Sequence, residues 1–208
     1  MIPVLGYMFI YSVIHSLLAS SKIKHILRNY VGEHAYAGLY RIGYNLFAAA
    51  TITPLWLLIQ SQDSKTIWNI DSIWYTPLLI LRSIGVLGFA ITLLQADLAQ
   101  LSGLKQLKAY CRNKPLPLPD EPLRTSGFYS FVRHPLYLFA LLMMWPMPTM
   151  NETQLGFCIS ATIYFIIGSH FEELRMISTY GEAYTNYQVC VPRLFPHPRY
   201  KNRKTTNC

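Results

Sequence analysis

The sequence predicts an all-α, polytopic membrane protein, and three observations carry that prediction. The 208 residues are 52% hydrophobic and only 13% charged, where a soluble domain carries about 25%. Residues 2–21, 42–60 and 83–96 contain no charged side chain at all. The 18 Lys and Arg also fall almost entirely between alternate apolar stretches, as the positive-inside rule requires. Disorder, a disulfide-dense secreted module and a soluble enzyme are excluded together. The net charge of +8 is not a nucleic-acid signal, because such binders gather their charge on one polar face.

A hydrocarbon core of ~30 Å needs about 20 apolar residues in a helix. Five stretches meet this: residues 2–19, 42–60, 76–96, 129–147 and 153–169. The first has no basic n-region and is followed at once by Lys22, Lys24 and Arg28, so it is read as a span rather than a signal peptide. Pro146 and Pro148 end the fourth span, and the short turn after them makes spans four and five a helical hairpin. Residues 20–41 hold four basic side chains, 97–128 hold five and the tail from residue 170 holds six, against one at 61–75 and none in the hairpin turn. The topology expected is five spans, N-terminus out and C-terminus in.

The whole chain, 1–208, reads as one membrane-embedded domain: spans one to three over 1–113, a hairpin with its C-terminal segment over 120–196, and a basic tail at 197–208. Prolines 115, 117 and 119 forbid helix, so residues 114–119 are an extended linker. The four cysteines, at 111, 158, 190 and 208, form no C-x-x-C pair and read as free thiols, with no metal site.

Ionisable groups near the membrane need a reason to be there. His15, on span one with Ser12 and Ser16, is read either as polar packing glue between helices or as a substrate-facing group. Asp97, closing span three among amides and small residues, is either a solvated acid or the wall of a polar pocket. The densest signal is the expected mouth of the hairpin. Residues 125–137 read Thr-Ser-Gly-Phe-Tyr-Ser-Phe-Val-Arg-His-Pro-Leu-Tyr, and span five runs into His170-Phe-Glu-Glu-Leu-Arg175. Antiparallel helices bring Arg133 and His134 to the depth of Glu172 and Glu173. An interfacial salt bridge is one reading. The crowd of Tyr129, Tyr137, Tyr180, Tyr184 and Tyr187 supports the other, a site for a cationic, aromatic, carboxylate-bearing ligand.

These residues resemble the integral-membrane methyltransferases related to isoprenylcysteine carboxyl methyltransferase and to phospholipid N-methyltransferases. The shared pattern is Gly127, Tyr129, Arg133-His134-Pro135 and Tyr137, then Glu172-Glu173-Leu174, then Gly181, Tyr184, Tyr187 and Val191-Pro192. Residues 15–20, 40–45 and 97–106 are similar to the bacterial NnrU-like branch, which includes methanethiol S-methyltransferases. Phe139 stands where enzymes acting on prenylated cysteine tend to have Gly, and Leu174 follows the glutamates directly. Both point away from an isoprenyl-cysteine substrate.

The resemblance implies S-adenosylmethionine as cofactor, a small or lipophilic thiol as methyl acceptor, and a cytoplasmic active site in a bacterial inner membrane. It implies cofactor binding by Arg133, His134, Tyr137, Glu172, Glu173, Tyr184 and Tyr187, with Arg133 on the methionyl carboxylate. His134 and Arg133 are the candidate catalytic residues, with His134, or alternatively His15, as the base, and His15 and Asp97 are candidate acceptor contacts. Two other readings stay open: an NADPH-dependent reductase of the sterol-reductase type, and a non-catalytic accessory protein of nitrogen-oxide respiration.

Overall fold

Apolar helix dominates the chain. The computed structural model describes residues 1–60, 64–70 and 73–196. The expected basic tail at 197–208 lies outside the described residues.

In chain order the elements are α1 (Ile2–Ala19), α2 (Ser21–Val31), α3 (Glu33–Gln60), β1 (Thr66–Asn69), α4 (Tyr75–Gln95), α5 (Leu98–Ser102) and α6 (Leu104–Cys111). A 3-10 turn at Gly127–Ser130, α7 (Pro135–Met144), β2 (Thr149–Asn151), α8 (Glu152–Tyr180) and α9 (Glu182–Cys190) follow. Four of these, α1, α3, α4 and α8, are long and apolar enough to cross a membrane. Their large outward-facing hydrophobics, such as Phe9, Trp56, Leu87 and Ile163, are exposed, as side chains facing lipid must be.

The spans expected at 2–19 and 76–96 match α1 and α4 closely. Helix α3 starts nine residues before its apolar run, and α8 continues eleven residues past residue 169. At ~1.5 Å per residue these two reach about 42–44 Å, well beyond the hydrocarbon. The fourth expected span differs most. Its helix covers only Pro135–Met144, about 15 Å, because Pro146 and Pro148 cannot continue it. The freed backbone pairs as β2 with β1, so a small two-stranded sheet interrupts the expected all-α architecture.

The chain divides into two compact units. The first comprises Met1–Thr66, Ala96–Asp120 and Asn151–Ser160. Its helices are pinned by phenols and amides: Tyr7 Oη donates to the Thr51 carbonyl at 2.5 Å, and Asn45 Nδ2 donates to the carbonyls of Leu101 and Ser102 at 3.0 Å. Gly103, with φ 92°, lets the α5–α6 turn approach α3, since a Cβ there would stand 2.6 Å from the Ile42 nitrogen.

The second unit comprises Ile67–Gln95, Glu121–Met150 and Ala161–Cys208. Here α7 packs on α4 through two glycines. A Cβ on Gly85 would lie 2.6 Å from the Met143 nitrogen, and one on Gly88 would collide with the Phe139 ring. Phe139, one of the departures noted in the sequence, thus fills the groove that Gly88 leaves. The expected pairing of α7 with α8 exists through side chains: Trp145 Nε1 donates to Thr162 Oγ1 at 2.9 Å, and the Tyr137 and Phe165 rings stack at 4.9 Å. Of the cysteines expected as free thiols, Cys111 and Cys158 form no disulfide, Cys190 does not count among the free thiols, and Cys208 lies outside the described residues.

Candidate active site

Every element of the candidate site belongs to the second unit. Pro135 opens α7 at a position where its missing N–H costs nothing. His134 is the residue just before it, so Arg133 and His134 stand at the helix entrance. Their own backbone is held by the C-terminal segment: Arg133 N donates to the Pro192 carbonyl at 2.9 Å and His134 N to that of Arg193 at 3.1 Å. Gly181, with φ 58°, makes the sharp turn between α8 and α9 that folds this segment back, a conformation that disfavours residues with a Cβ.

Arg133 and Glu173 form a buried ion pair, with side chains 8% and 10% exposed. Glu173 Oε1 accepts from Arg133 Nε at 2.7 Å and lies 2.6 Å from Nη2. Nη1 donates to the carbonyls of Gln188 at 3.0 Å and Val191 at 2.5 Å. Gln188 Nε2 donates to Glu173 Oε2 at 3.1 Å. The guanidinium fork is therefore largely occupied inside the chain. His134 lies between the two glutamates, Nε2 3.2 Å from Glu173 Oε1 and Nδ1 3.5 Å from Glu172 Oε2. Tyr137 Oη donates to Glu172 Oε2 at 2.9 Å.

The imidazole stacks on Tyr137 at 5.4 Å, which stacks in turn on Phe165. Glu172 is the carboxylate that solvent reaches, at 27% side-chain exposure against 10% for Glu173.

Tyr184 and Tyr187 sit in a buried cluster with Val191, their rings edge to face at 5.8 Å. Burial, reinforced by the charge of Glu173, pushes the Tyr184 phenol up to about 12. Burial raises Tyr187 as well, and the nearby Tyr184 adds to the rise. Both are thus neutral donors, and Tyr187 Oη donates to the Tyr129 carbonyl at 2.5 Å. That bond ties α9 to the 3-10 turn. Gly127 opens the turn at φ 66°, close against the Gln95 side chain at the end of α4.

The structure brings Arg133, His134, Tyr137, Glu172, Glu173, Tyr184 and Tyr187 together as one cluster. His15 and Asp97 belong to the first unit. His15 stacks on Tyr11 at 5.3 Å and lies tilted against Tyr44 at 4.5 Å. Asp97 caps α5, its Oδ1 accepting from Gln100 N at 3.0 Å, and pairs with Lys105. That hydrogen bond from Lys105 holds the carboxyl below the usual carboxylate range. Two contributors escaped the sequence reading. Gln188 directly follows Tyr187, where an amide gives no signal. Arg193 donates to Ser169 Oγ at 2.9 Å and to the Ile166 carbonyl at 2.6 Å. Its place between Pro192 and Leu194 was the only hint.

No metal-holding group of His, Cys, Asp and Glu occurs among the described residues. A helical membrane protein with a buried Arg–Glu clamp, capped by a tyrosine-bearing C-terminal helix, is the class that this fold and cluster define.

Comparison with known proteins places the chain further. It is 31% identical over 194 residues to methanethiol S-methyltransferase of Pseudomonas deceptionensis, covering 91% of this chain and 70% of that one. It is 35% identical over 164 residues to the protein of the same name from Pseudomonas sp. (strain GM41(2012)), covering 77% and 61%. Nurim of Xenopus laevis is 31% identical over 166 residues, covering 77% and 56%. The chain belongs to this family of isoprenylcysteine carboxyl methyltransferase-like membrane methyltransferases. It spans 61–70% of the length of the two Pseudomonas relatives. No family model matches the chain, and no solved structure does.

Proposed function

We propose that the protein is an S-adenosylmethionine-dependent methyltransferase that S-methylates a small or lipophilic thiol, methanethiol being the test substrate. The observation that carries this reading is the buried Arg133–His134–Glu172–Glu173 cluster in a chain related over 91% of its length to a methanethiol S-methyltransferase.

The donor set fits the cofactor. Glu173 is neutralised by Arg133, and Glu172, beside His134 and Tyr137, is the carboxylate left to meet a ligand's positive charge. An anionic ligand such as NADPH would meet that same carboxylate, which argues against the reductase reading. When bound, S-adenosylmethionine supplies a methyl group activated on a sulfonium. Glu172, the accessible carboxylate, is placed to hold the cofactor's amino group or hydroxyls. Tyr137, held between His134 and Phe165, and Tyr184, buried beside Tyr187, wall the cluster as neutral phenols. Arg133 then acts chiefly by holding Glu173 and the C-terminal segment in place, with little of its fork left for the methionyl carboxylate.

Transfer to sulfur needs a thiolate. His134 is the proposed base that takes the thiol proton, with Glu173 Oε1 3.2 Å from Nε2 and Glu172 Oε2 3.5 Å from Nδ1. The imidazolium so formed gains the Glu172 carboxylate as partner, and Glu172 hands the proton to solvent. Alignment of acceptor and methyl group supplies most of the remaining rate.

We further infer five crossings with the C-terminal segment in the cytoplasm, in a bacterial inner membrane. Between His134 and β2 the chain runs about 15 Å as helix, and four residues, Trp145 to Pro148, then lead into β2. It starts where α4 ends, at Gln95 beside Gly127. It finishes beside the start of α4, where Thr149 Oγ1 donates to Asn69 Oδ1 at 2.6 Å. That path runs from the end of α4 back toward its start.

Calorimetry on the detergent-purified protein tests the function. S-Adenosylmethionine should bind at micromolar concentrations, Glu172→Gln should weaken it about tenfold, ~1.4 kcal/mol, and NADPH should give no heat. Added methanethiol should be converted to dimethyl sulfide. A folded parent that binds no S-adenosylmethionine overturns the reading. It would favour the non-catalytic alternative.

A further inference from the structure

We propose that α2 is a docking surface for anionic phospholipid headgroups of the leaflet in which α1 ends. The surface lies in the first unit and is independent of the methyl-transfer chemistry. Helix α2 is amphipathic by sequence: Ile23, Ile26, Leu27, Tyr30 and Val31 repeat at the spacing of one helix face, and Lys22, Lys24, His25 and Arg28 occupy the other. It contains no acidic residue, and none of its residues is buried. Ile26, Tyr30 and Val31 are 61%, 88% and 47% exposed, an apolar side left uncovered among the described residues.

Its depth follows from its neighbours. Ser20 alone separates α2 from the membrane helix α1, its backbone extended at φ −68° and ψ 149°. Tyr40 of α3 donates its hydroxyl to the Leu18 carbonyl, so Tyr40 stands level with the end of α1. Lys24 lies over the Tyr40 ring at 5.8 Å and Arg28 over Tyr36 at 4.9 Å. Helix α2 thus runs beside the first turns of α3, which precede the charge-free residues 42–60. That is the headgroup layer, a few ångströms thick on each side of the hydrocarbon. Side chains on a helix lean toward its N-terminus, and the N-terminus of α2 faces the bilayer, so the whole set leans toward lipid.

Charge decides the kind of lipid. Arg28 is paired with Glu33 at 3.0 Å, and Lys24 rests on Tyr40. Lys22 and His25, both exposed, border the open grooves that flank the helix with Ser21 and Ile26. These side chains meet the phosphates, and Ile26, in the first turns of α2, is the uncovered apolar side chain nearest the boundary between headgroups and acyl chains. A zwitterionic headgroup offers no net charge to this face.

The test titrates the full-length protein in neutral detergent with phosphatidylglycerol or phosphatidylcholine and follows the thermal midpoint. Phosphatidylglycerol should raise it in low salt, and phosphatidylcholine should not. High salt should abolish the shift, since surface charge is screened. Lys22→Gln should keep the parent midpoint without lipid and weaken apparent phosphatidylglycerol affinity about fivefold, the ~1 kcal/mol of one basic residue at an anionic surface. Lys22→Arg should restore it, and Lys22→Gln/His25→Gln should weaken it further. Equal shifts with both lipids, an unchanged response in the double variant, or the same shift from inorganic phosphate would each overturn the proposal.

Discussion

Glu173→Gln tests the clamp at its most constrained point. Glu173 takes Arg133 on Oε1 through Nε at 2.7 Å and Nη2 at 2.6 Å, His134 Nε2 at 3.2 Å on the same oxygen, and Gln188 at 3.1 Å on Oε2. The substitution preserves shape and one acceptor oxygen but leaves a guanidinium 8% exposed without a counter-ion. Removing one partner of a buried pair costs roughly 3–5 kcal/mol, and the retained oxygen puts this variant near the lower end, about 3 kcal/mol. For a chain of this size that lowers the thermal midpoint by about 6–12 °C. The assay is thermal unfolding in detergent for Glu173→Gln, Arg133→Met and the double variant. Once Arg133 is gone no charge is stranded, so the double variant should be more stable than the sum of the two singles by at least ~1 kcal/mol. A loss under about 1 kcal/mol, the size of an exposed pair, or strictly additive effects would refute the clamp.

Three further outcomes follow from the geometry. Gly85→Ala should destabilise by about 1–3 kcal/mol, because its Cβ would stand 2.6 Å from the Met143 backbone nitrogen, which cannot yield as a side chain would. An unchanged midpoint would contradict that packing. Gly127→Ala should cost about 1–2 kcal/mol for the left-handed conformation, made worse by a Cβ 3.1 Å from Gln95 Nε2; Gly127→Asn should be milder, and equal losses would count against a backbone cause. Asp97, whose carboxyl is held below its ordinary range by Lys105 and by the Gln100 N–H, contributes stability that is full above about pH 4 and is lost as pH falls through the lowered value. Asp97→Asn should flatten that acid limb of stability, and identical limbs in both proteins would show that the cap is not felt.

The sequence by itself determined the membrane class, because an uncharged run of about 20 residues has few stable alternatives to a spanning helix. It also picked out the cluster residues, since charged groups set beside apolar spans stand out without any coordinates. Two things were decided only by tertiary structure. The first is what becomes of residues 129–147. Composition alone does not distinguish a long helix from a short one continued as extended chain, and the outcome turns on Pro146, Pro148 and the availability of β1 as a backbone partner. The second is how Arg133 is employed. A sequence shows that an arginine is near two glutamates but not which of its N–H groups are already taken, and here the carbonyls of Gln188 and Val191 take Nη1. Those carbonyls belong to every residue type alike. Where backbone oxygens complete a site, side-chain identity carries no trace of them, and only the folded chain brings them within reach.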